Sequence, residues 1–119
     1  MTKPAKHKFT LYRGQTFRAR LTWRTSSGAP VDLTGCKVRM QVREDYESPL
    51  PLLELTTENG GIAIDPVEVG VLQLYISDAD TSAALWDGGV FDIEVVHPGG
   101  DVTRIVQGAV SVSPEVTRT

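Results

Sequence analysis

The sequence predicts an all-β fold in which two antiparallel sheets stack face to face, with seven to nine strands and one short helix. Apolar and polar residues alternate over most of the chain, which is the period of a half-buried strand. Turn-forming residues recur at short intervals, with 11 glycines and 7 prolines among 119 residues. Each clean strand has one polar face, so its apolar face needs a second sheet to cover it.

The clearest strands lie in the first half of the chain. Residues 1–8 are polar and are predicted to form a flexible N-terminal arm before a β-sandwich domain at 9–112. One strand then places four apolar residues on a single face: Phe17, Ala19, Leu21 and Trp23. A second strand does the same with Cys36, Val38, Met40 and Val42. The intervening positions in both strands are polar or basic, so they are expected to face solvent.

Between these two strands lies the segment Asp32-Leu33-Thr34-Gly35. Leu33 is expected to anchor in the core, while Asp32 and Thr34 can bond nearby backbone amides. Gly35 permits a corner that moves the chain from one sheet to the other. This segment therefore predicts a structural corner and not a binding site.

The second half continues the same alternation. The dipeptide Asn59-Gly60 is a strong hairpin signal between two short strands. Ser77 can cap a helix over Ala79–Leu85, and a bulge is expected at Gly108 in the last strand. Residues 113–119 are predicted to be a C-terminal tail. The residues expected to be largely buried are Leu21, Trp23, Val38, Met40, Leu72, Leu74, Phe91, Ile93 and Val110.

The charges are unevenly distributed although the net charge is only −3. Residues 1–43 carry ten Lys and Arg against one acid, whereas residues 44–119 carry two against fourteen acids. Basic and acidic strands can pair inside one molecule, or a basic face can dock on an acidic partner. Under the second interpretation the candidate protein-docking face is a stripe of Arg18, Arg20, Lys37, Arg39 and Arg43. Nucleic-acid binding is disfavoured, because no motif combines basic and aromatic residues.

No motif for catalysis or for a metal is present. The chain has two histidines, neither in a metal-ligating pattern, and His97 is expected to be a solvated turn residue. Cys36 alone cannot form an internal disulfide and is expected to pack as a small hydrophobe. Asp78, Asp80 and Asp87 fit a helix cap better than a calcium loop. We therefore expect a non-enzymatic protein with no catalytic residue, cofactor, metal ion or small-molecule substrate.

The basic N-terminus is not followed by an apolar segment, so the sequence predicts no signal peptide and synthesis in a cytoplasm. No apolar stretch is long enough to predict a membrane span. We accordingly expect no contact with a membrane.

Two segments resemble structural proteins of tailed bacteriophages. The run Ala29-Pro30-Val31-Asp32-Leu33-Thr34-Gly35 with the strand at 37–43 resembles the immunoglobulin-like N-terminal domain of siphophage baseplate upper proteins. Residues 86–95 and 103–117 resemble the end of small virion proteins. The resemblance covers residues 9–117 and implies an immunoglobulin-like two-sheet antiparallel β-sandwich. It also implies a virion structural protein of the tail, baseplate or neck region.

That resemblance implies other virion proteins and further copies of the chain as partners, with the arm and the tail ordering on neighbours. An alternative is a carbohydrate-binding or adhesin-like β-sandwich module. Its candidate ligand aromatics are Tyr12, Tyr75 and Trp86. Exposed aromatic side chains in a cleft favour this alternative, whereas aromatic side chains in the core count against it.

Overall fold

A computed structural model describes residues 4–117. Their elements, in chain order, are β1 (Ala5–Tyr12), β2 (Phe17–Thr22), β3 (Lys37–Arg43), β4 (Leu53–Thr56), β5 (Ile62–Ile64), β6 (Val71–Ile76), α1 (Asp78–Ser82), β7 (Gly88–Val96) and β8 (Val102–Ser113). Residues 1–3 of the predicted arm and residues 118–119 of the predicted tail lie outside the described residues. The eight strands and single helix agree with the predicted count.

The strands form two sheets, one in the order β1-β8-β7-β3-β4 and one in the order β2-β6-β5. An immunoglobulin sandwich places strands B, E and D in one sheet and strands C, F and G in the other. Matching β2 to B and continuing in order to β8 as G reproduces both arrangements, with β4 as the added strand beside C. The strand order therefore confirms the immunoglobulin-like two-sheet sandwich.

One strand pair departs from the antiparallel prediction. β1 runs parallel to β8, in a register that extends from Ala5 opposite Val106 to Tyr12 opposite Ser113. The tight turn after β1 passes the chain to β2 in the other sheet, so β1 and β2 do not form a hairpin. Residues 5–8, which were assigned to the arm, belong to β1. Ser113, which was assigned to the tail, belongs to β8.

The core lies between the sheets and contains most of the predicted residues. Seven of them are buried: Val38, Met40, Leu72, Leu74, Phe91, Ile93 and Val110. Leu21 and Trp23 are only partly buried, because β2 is an edge strand whose side is open. Phe9 on β1 packs edge-on against Phe17 with ring centroids 5.6 Å apart, which joins the two sheets along this side.

The hairpin predicted at Asn59-Gly60 is not present. β4 belongs to the larger sheet and β5 to the smaller, so the turn joins the sheets. The Asn59 side chain organises this crossing: its Oδ1 accepts hydrogen bonds from the amides of Thr56, at 2.8 Å, and Gly61, at 2.9 Å. Gly60 has a φ of +84°, a left-handed conformation that glycine adopts readily. The turn signal was correct, but the pairing of its flanking strands was wrong.

The helix and the bulge also differ in position from the predictions. The Ser77 hydroxyl accepts a hydrogen bond from the Asp80 amide at 3.2 Å, which confirms the cap. The helix ends at Ser82, before the predicted Leu85. In β8 the register shifts opposite Ile93 and Glu94 and leaves Ile105 unpaired, so the bulge is not at Gly108. Gly108 instead permits close approach of β1, because a Cβ there would overlap the His7 carbonyl.

The corner before β3 forms as predicted. Leu33 is buried, and Asp32 Oδ1 accepts hydrogen bonds from the Thr34 amide at 2.9 Å and hydroxyl at 2.6 Å. These bonds, the hydroxyl bond first, lower the pKa of Asp32. Gly35 has a φ of +77°, and the corner carries the chain from β2 in the small sheet to β3 in the large one.

Candidate protein-docking surfaces

The five residues of the predicted basic stripe are divided between two surfaces. Arg18 and Arg20 lie on β2, on the outer face of the small sheet, whereas Lys37, Arg39 and Arg43 lie on β3 in the large sheet. The outer faces of two stacked sheets point in opposite directions. The five residues therefore do not form the single continuous face that the alternation indicated.

On the small sheet, both arginines contact side chains of the same molecule. The Arg18 guanidinium lies over the Tyr75 ring, 4.8 Å from its centroid. Arg20 forms an ion pair of 2.5 Å with Glu68. Beside them Asp65 accepts hydrogen bonds from the backbone amides of Glu68 and Val67, and these lower the pKa of Asp65. The face also holds a shallow basin of about 460 Å³ next to Tyr75.

On the large sheet, the charges pair mainly across neighbouring strands. Arg39 Nε donates to Glu94 Oε1 at 2.9 Å, and these residues lie directly opposite each other on β3 and β7. Arg43 donates instead to the Ser48 carbonyl at 2.8 Å. Within residues 4–117, Lys37 makes no ion pair. Pairing within the molecule, one of the two interpretations of the charge distribution, is thus observed at Arg39, and also at Arg20.

An acid at the centre of the large sheet has a perturbed ionisation. Asp92 lies 3.4 Å from Arg104, measured from Oδ2 to Nε. Burial raises the pKa of Asp92, and the neighbouring Glu94 carboxylate raises it further, while Arg104 opposes both effects.

The three candidate ligand aromatics occupy separate places. Tyr12, at the end of β1, is 53% exposed and lines a groove with Phe17 and Arg18. Tyr75 is 38% exposed on the small sheet, under Arg18. Trp86 is partly buried and packs against the core. Of the three, Tyr12 and Tyr75 are therefore accessible and Trp86 is not, although Arg18 covers one face of the Tyr75 ring.

A network that the sequence did not predict joins the β1–β2 turn to α1. Arg13 Nε donates to the Ala84 carbonyl at 2.8 Å. The buried Thr81 hydroxyl accepts a hydrogen bond from the Gly14 amide at 3.2 Å and donates to the Gln15 carbonyl at 2.9 Å. The partners are distant in sequence, so no local motif could reveal them. The network fixes the helix against the turn between the sheets.

Replacement of Thr81 by valine should therefore lower the free energy of unfolding by about 1–3 kcal/mol, because it removes the partner of the partly buried hydrogen bonds to Gly14 and Gln15. Urea denaturation followed by tryptophan fluorescence measures this loss. Thr10→Val is the matched control, since Thr10 is exposed on β1 and its replacement should leave stability nearly unchanged. Equal stability of both variants would contradict a structural role for the Thr81 hydroxyl.

His97 is not the solvated turn residue that was expected. Its Nε2 lies 3.0 Å from Thr103 Oγ1, and its Nδ1 lies 3.9 Å from the sulfur of Cys36. Trp23 packs nearby, with ring centroids 6.0 Å apart. Burial, and then the Asp32 charge, raise the pKa of the Cys36 thiol. A nucleophilic cysteine requires the opposite shift, so this cluster supports the packing role expected for Cys36.

The acids around α1 do not converge on one point. Within residues 4–117, no group of three or more His, Cys, Asp or Glu side chains has a geometry that could hold a metal ion. Asp78 and Asp80 lie in the first turn of the helix, where negative charge is favourable. No helix in the described part of the chain has the length and apolar character needed to cross a membrane.

Comparisons with known proteins return structural matches only. No family model and no curated protein sequence matches the chain. One similar structure comes from photo-crosslinking analyses of multimeric cell-adhesive interactions of VGSC beta subunits. It has 10% identity and a TM-score of 0.49, and the match covers 95% of this chain and 96% of that one.

Two further similar structures are immunoglobulin domains. The ZIG-8 IG1 homodimer matches with 8% identity and a TM-score of 0.44, over 97% of this chain and 85% of that one. The ZIG-8–RIG-5 IG1–IG1 heterodimer matches with 11% identity and a TM-score of 0.42, over 95% and 87%. The chain is similar to these domains at a TM-score below 0.5, so its fold assignment rests on the strand order.

Proposed function

We propose that this chain is a non-enzymatic structural protein of a tailed-phage virion, in the tail, baseplate or neck, that assembles in multiple copies through protein–protein contacts. The two segments that resemble virion proteins support this assignment. They contain β3, β7 and β8, which are adjacent strands at the centre of the large sheet. The resemblance therefore concerns one contiguous structural unit of the fold.

The observation that carries a contact function is the composition of one end of the sandwich, here called the α1 end. It consists of residues 13–16, 44–52, 77–87 and 114–117. These segments follow β1, β3, β6 and β8, whose C-terminal ends all lie at this end of the sandwich. These segments contain seven acids and one base, Arg13. Four large apolar side chains are also highly exposed there: Tyr46, Leu50, Leu85 and Val116.

A surface that combines exposed apolar side chains with one sign of charge favours contact with a protein of opposite charge. Copies of the same chain offer such charges in Lys6 and Lys8, which make no ion pair within residues 4–117. The proposed assembly therefore joins the α1 end of one copy to β1 of the next.

The test is the composition of purified phage particles. Mass spectrometry of particles from the phage or prophage that carries the gene should detect the chain in multiple copies, and immunogold labelling should locate it on the tail, baseplate or neck. The variant Leu85→Asp should melt like the unmodified protein, because Leu85 is 81% exposed, yet should fail to enter particles. Particles that lack the unmodified chain would contradict the proposal.

The carbohydrate-binding alternative retains one favourable observation. Tyr75 is accessible at the rim of the 460 Å³ basin on the small sheet, beside Arg18, Arg20 and Gln73. An aromatic ring with adjacent polar groups can stack on a sugar ring and hydrogen-bond its hydroxyls. A glycan array tests this function, and binding that disappears in Tyr75→Ala would favour it over the virion assignment.

A further inference from the structure

The outer edge of β2 is unpaired. The order β2-β6-β5 gives β2 one neighbour, and within residues 4–117 no other strand adjoins it. Tyr75 donates its amide to the Gly61 carbonyl at 2.9 Å, on the β5 side of β6. The cross-strand pair of Tyr75 and Arg18 is therefore not hydrogen-bonded, and the backbone N–H and C=O of Arg18 point to the free edge.

The same geometry repeats along the strand. Because backbone direction alternates with each residue, Arg20 also directs its N–H and C=O to the free edge. The Trp23 amide donates to the Gly70 carbonyl at 2.8 Å, which confirms that the odd-numbered residues bond inward. β2 thus presents a row of backbone donors and acceptors, which is a template for a further strand.

The side of the sandwich next to this edge is open and partly apolar. Every inward residue of β2 is only partly buried: Phe17, Ala19 and Leu21. A groove of about 240 Å³ lies between this edge and β8, lined by Leu21, Trp23, Leu72, Ile105 and Val106. A second groove of about 370 Å³ lies at the other end of β2, lined by Tyr12, Phe17 and Arg18. Together they offer places for the alternate side chains of an added strand.

Charge identifies the chemistry of the occupant. Arg18 makes no ion pair within residues 4–117. Two copies of the chain that paired antiparallel through their β2 edges, with the two-fold axis at Ala19, would place Arg18 of one opposite Arg20 of the other. An axis at Arg18 or at Arg20 would place that arginine opposite its own copy. Like charges directly opposite each other destabilise a strand pair. The edge is therefore unsuited to this pairing with itself and complementary to an acidic segment.

We propose that the free edge of β2 binds an extended segment of another protein, which adds as a fourth strand of the small sheet. This segment carries acidic residues on its outward face, near Arg18 and Arg20, and apolar residues on its inward face. Main-chain hydrogen bonds supply affinity in such strand addition, and the alternate side chains supply specificity. Strand addition at the β2 edge is argued from the structure alone. The identity of the partner as a virion protein rests on the proposed function.

The probe is a short soluble peptide that alternates glutamate and valine, and its counterpart alternates lysine and valine. The glutamate peptide should bind in fluorescence anisotropy, and binding should weaken as salt is added. The lysine peptide should not bind. Hydrogen exchange by NMR should show that the Arg18 and Arg20 amides exchange freely in the unbound protein and become protected when the glutamate peptide is present.

Two variants separate strand addition from simple charge attraction. Arg18→Glu should raise the dissociation constant of the glutamate peptide by roughly tenfold, because attraction is replaced by repulsion. Lys37→Glu is the matched control, with the same change of charge on the opposite face, and should leave binding nearly unchanged. Arg20→Pro removes an edge N–H without removing a bond to β6 and should abolish binding. A thermal melt confirms that each variant is folded.

Unprotected Arg18 and Arg20 amides would overturn the inference, as would equal loss of binding in Arg18→Glu and Lys37→Glu. Particle incorporation distinguishes this failure from failure of the proposed function. If Arg18→Glu enters particles as well as the unmodified chain, the structural role stands and the β2 edge is not the contact. If the unmodified chain is absent from particles while the peptide result holds, the edge binds a partner of another kind.

Discussion

Replacement of Leu74 by alanine should lower the free energy of unfolding by about 2–5 kcal/mol. Leu74 is 1% exposed and lies on β6, the central strand of the small sheet, between Ala19 of β2 and Ile62 of β5. Because the small sheet has only three strands, few neighbouring side chains can move to fill the cavity. Urea denaturation followed by tryptophan fluorescence measures the effect.

Val69→Ala is the comparison for Leu74→Ala, because Val69 is 53% exposed in the loop before β6. Its replacement should change stability by less than about 0.5 kcal/mol. A similarly small loss for Leu74→Ala would mean that the inward face of β6 is not part of the core, and the arrangement of the two sheets would be wrong.

Replacement of Gly108 by alanine should separate β1 from β8. A Cβ at this position overlaps the carbonyl oxygen of His7, which is a backbone atom and can move only if β1 moves with it. We expect a loss of about 1–3 kcal/mol in the free energy of unfolding. Hydrogen exchange should accelerate in β1, whereas β3 and β7, at the centre of the sheet, should remain protected.

Gly99→Ala provides the control for Gly108→Ala, because a Cβ at Gly99 meets no atom within 4 Å and its backbone is not left-handed. It should leave stability unchanged or raise it slightly by restricting the unfolded chain. Unchanged exchange in β1 of Gly108→Ala would contradict the close parallel pairing of β1 and β8.

Sequence alternation predicted the strands and their inward residues well where one face of a strand is buried and the other is exposed. Ile93 and Leu72 are fully buried as expected, because β7 and β6 have neighbours on both sides. β1 was harder to predict, since Lys6, His7 and Lys8 are polar in succession and show no alternation. Its parallel pairing depends on a contact with Gly108, which is remote in sequence and carries no local signal.

The candidate docking residues show the same limit. Alternation correctly placed Arg18 and Lys37 on outward faces, but it does not say to which sheet a strand belongs. The corner at Asp32–Gly35 moves the chain between sheets and thereby divides the basic stripe. The Thr81 contact with Gln15 could not be predicted from local pattern either, because it depends on how α1 packs against the turn between the sheets.

The parallel pairing of β1 and β8 determines how the sandwich bears tension. The N-terminal end of β1 and the C-terminal end of β8 lie at opposite ends of one strand pair. A pull that draws the two ends of the chain apart therefore slides these strands along each other. The hydrogen bonds that join Ala5–Tyr12 to Val106–Ser113 are then loaded together rather than broken one after another. The domain therefore resists stretching along this axis.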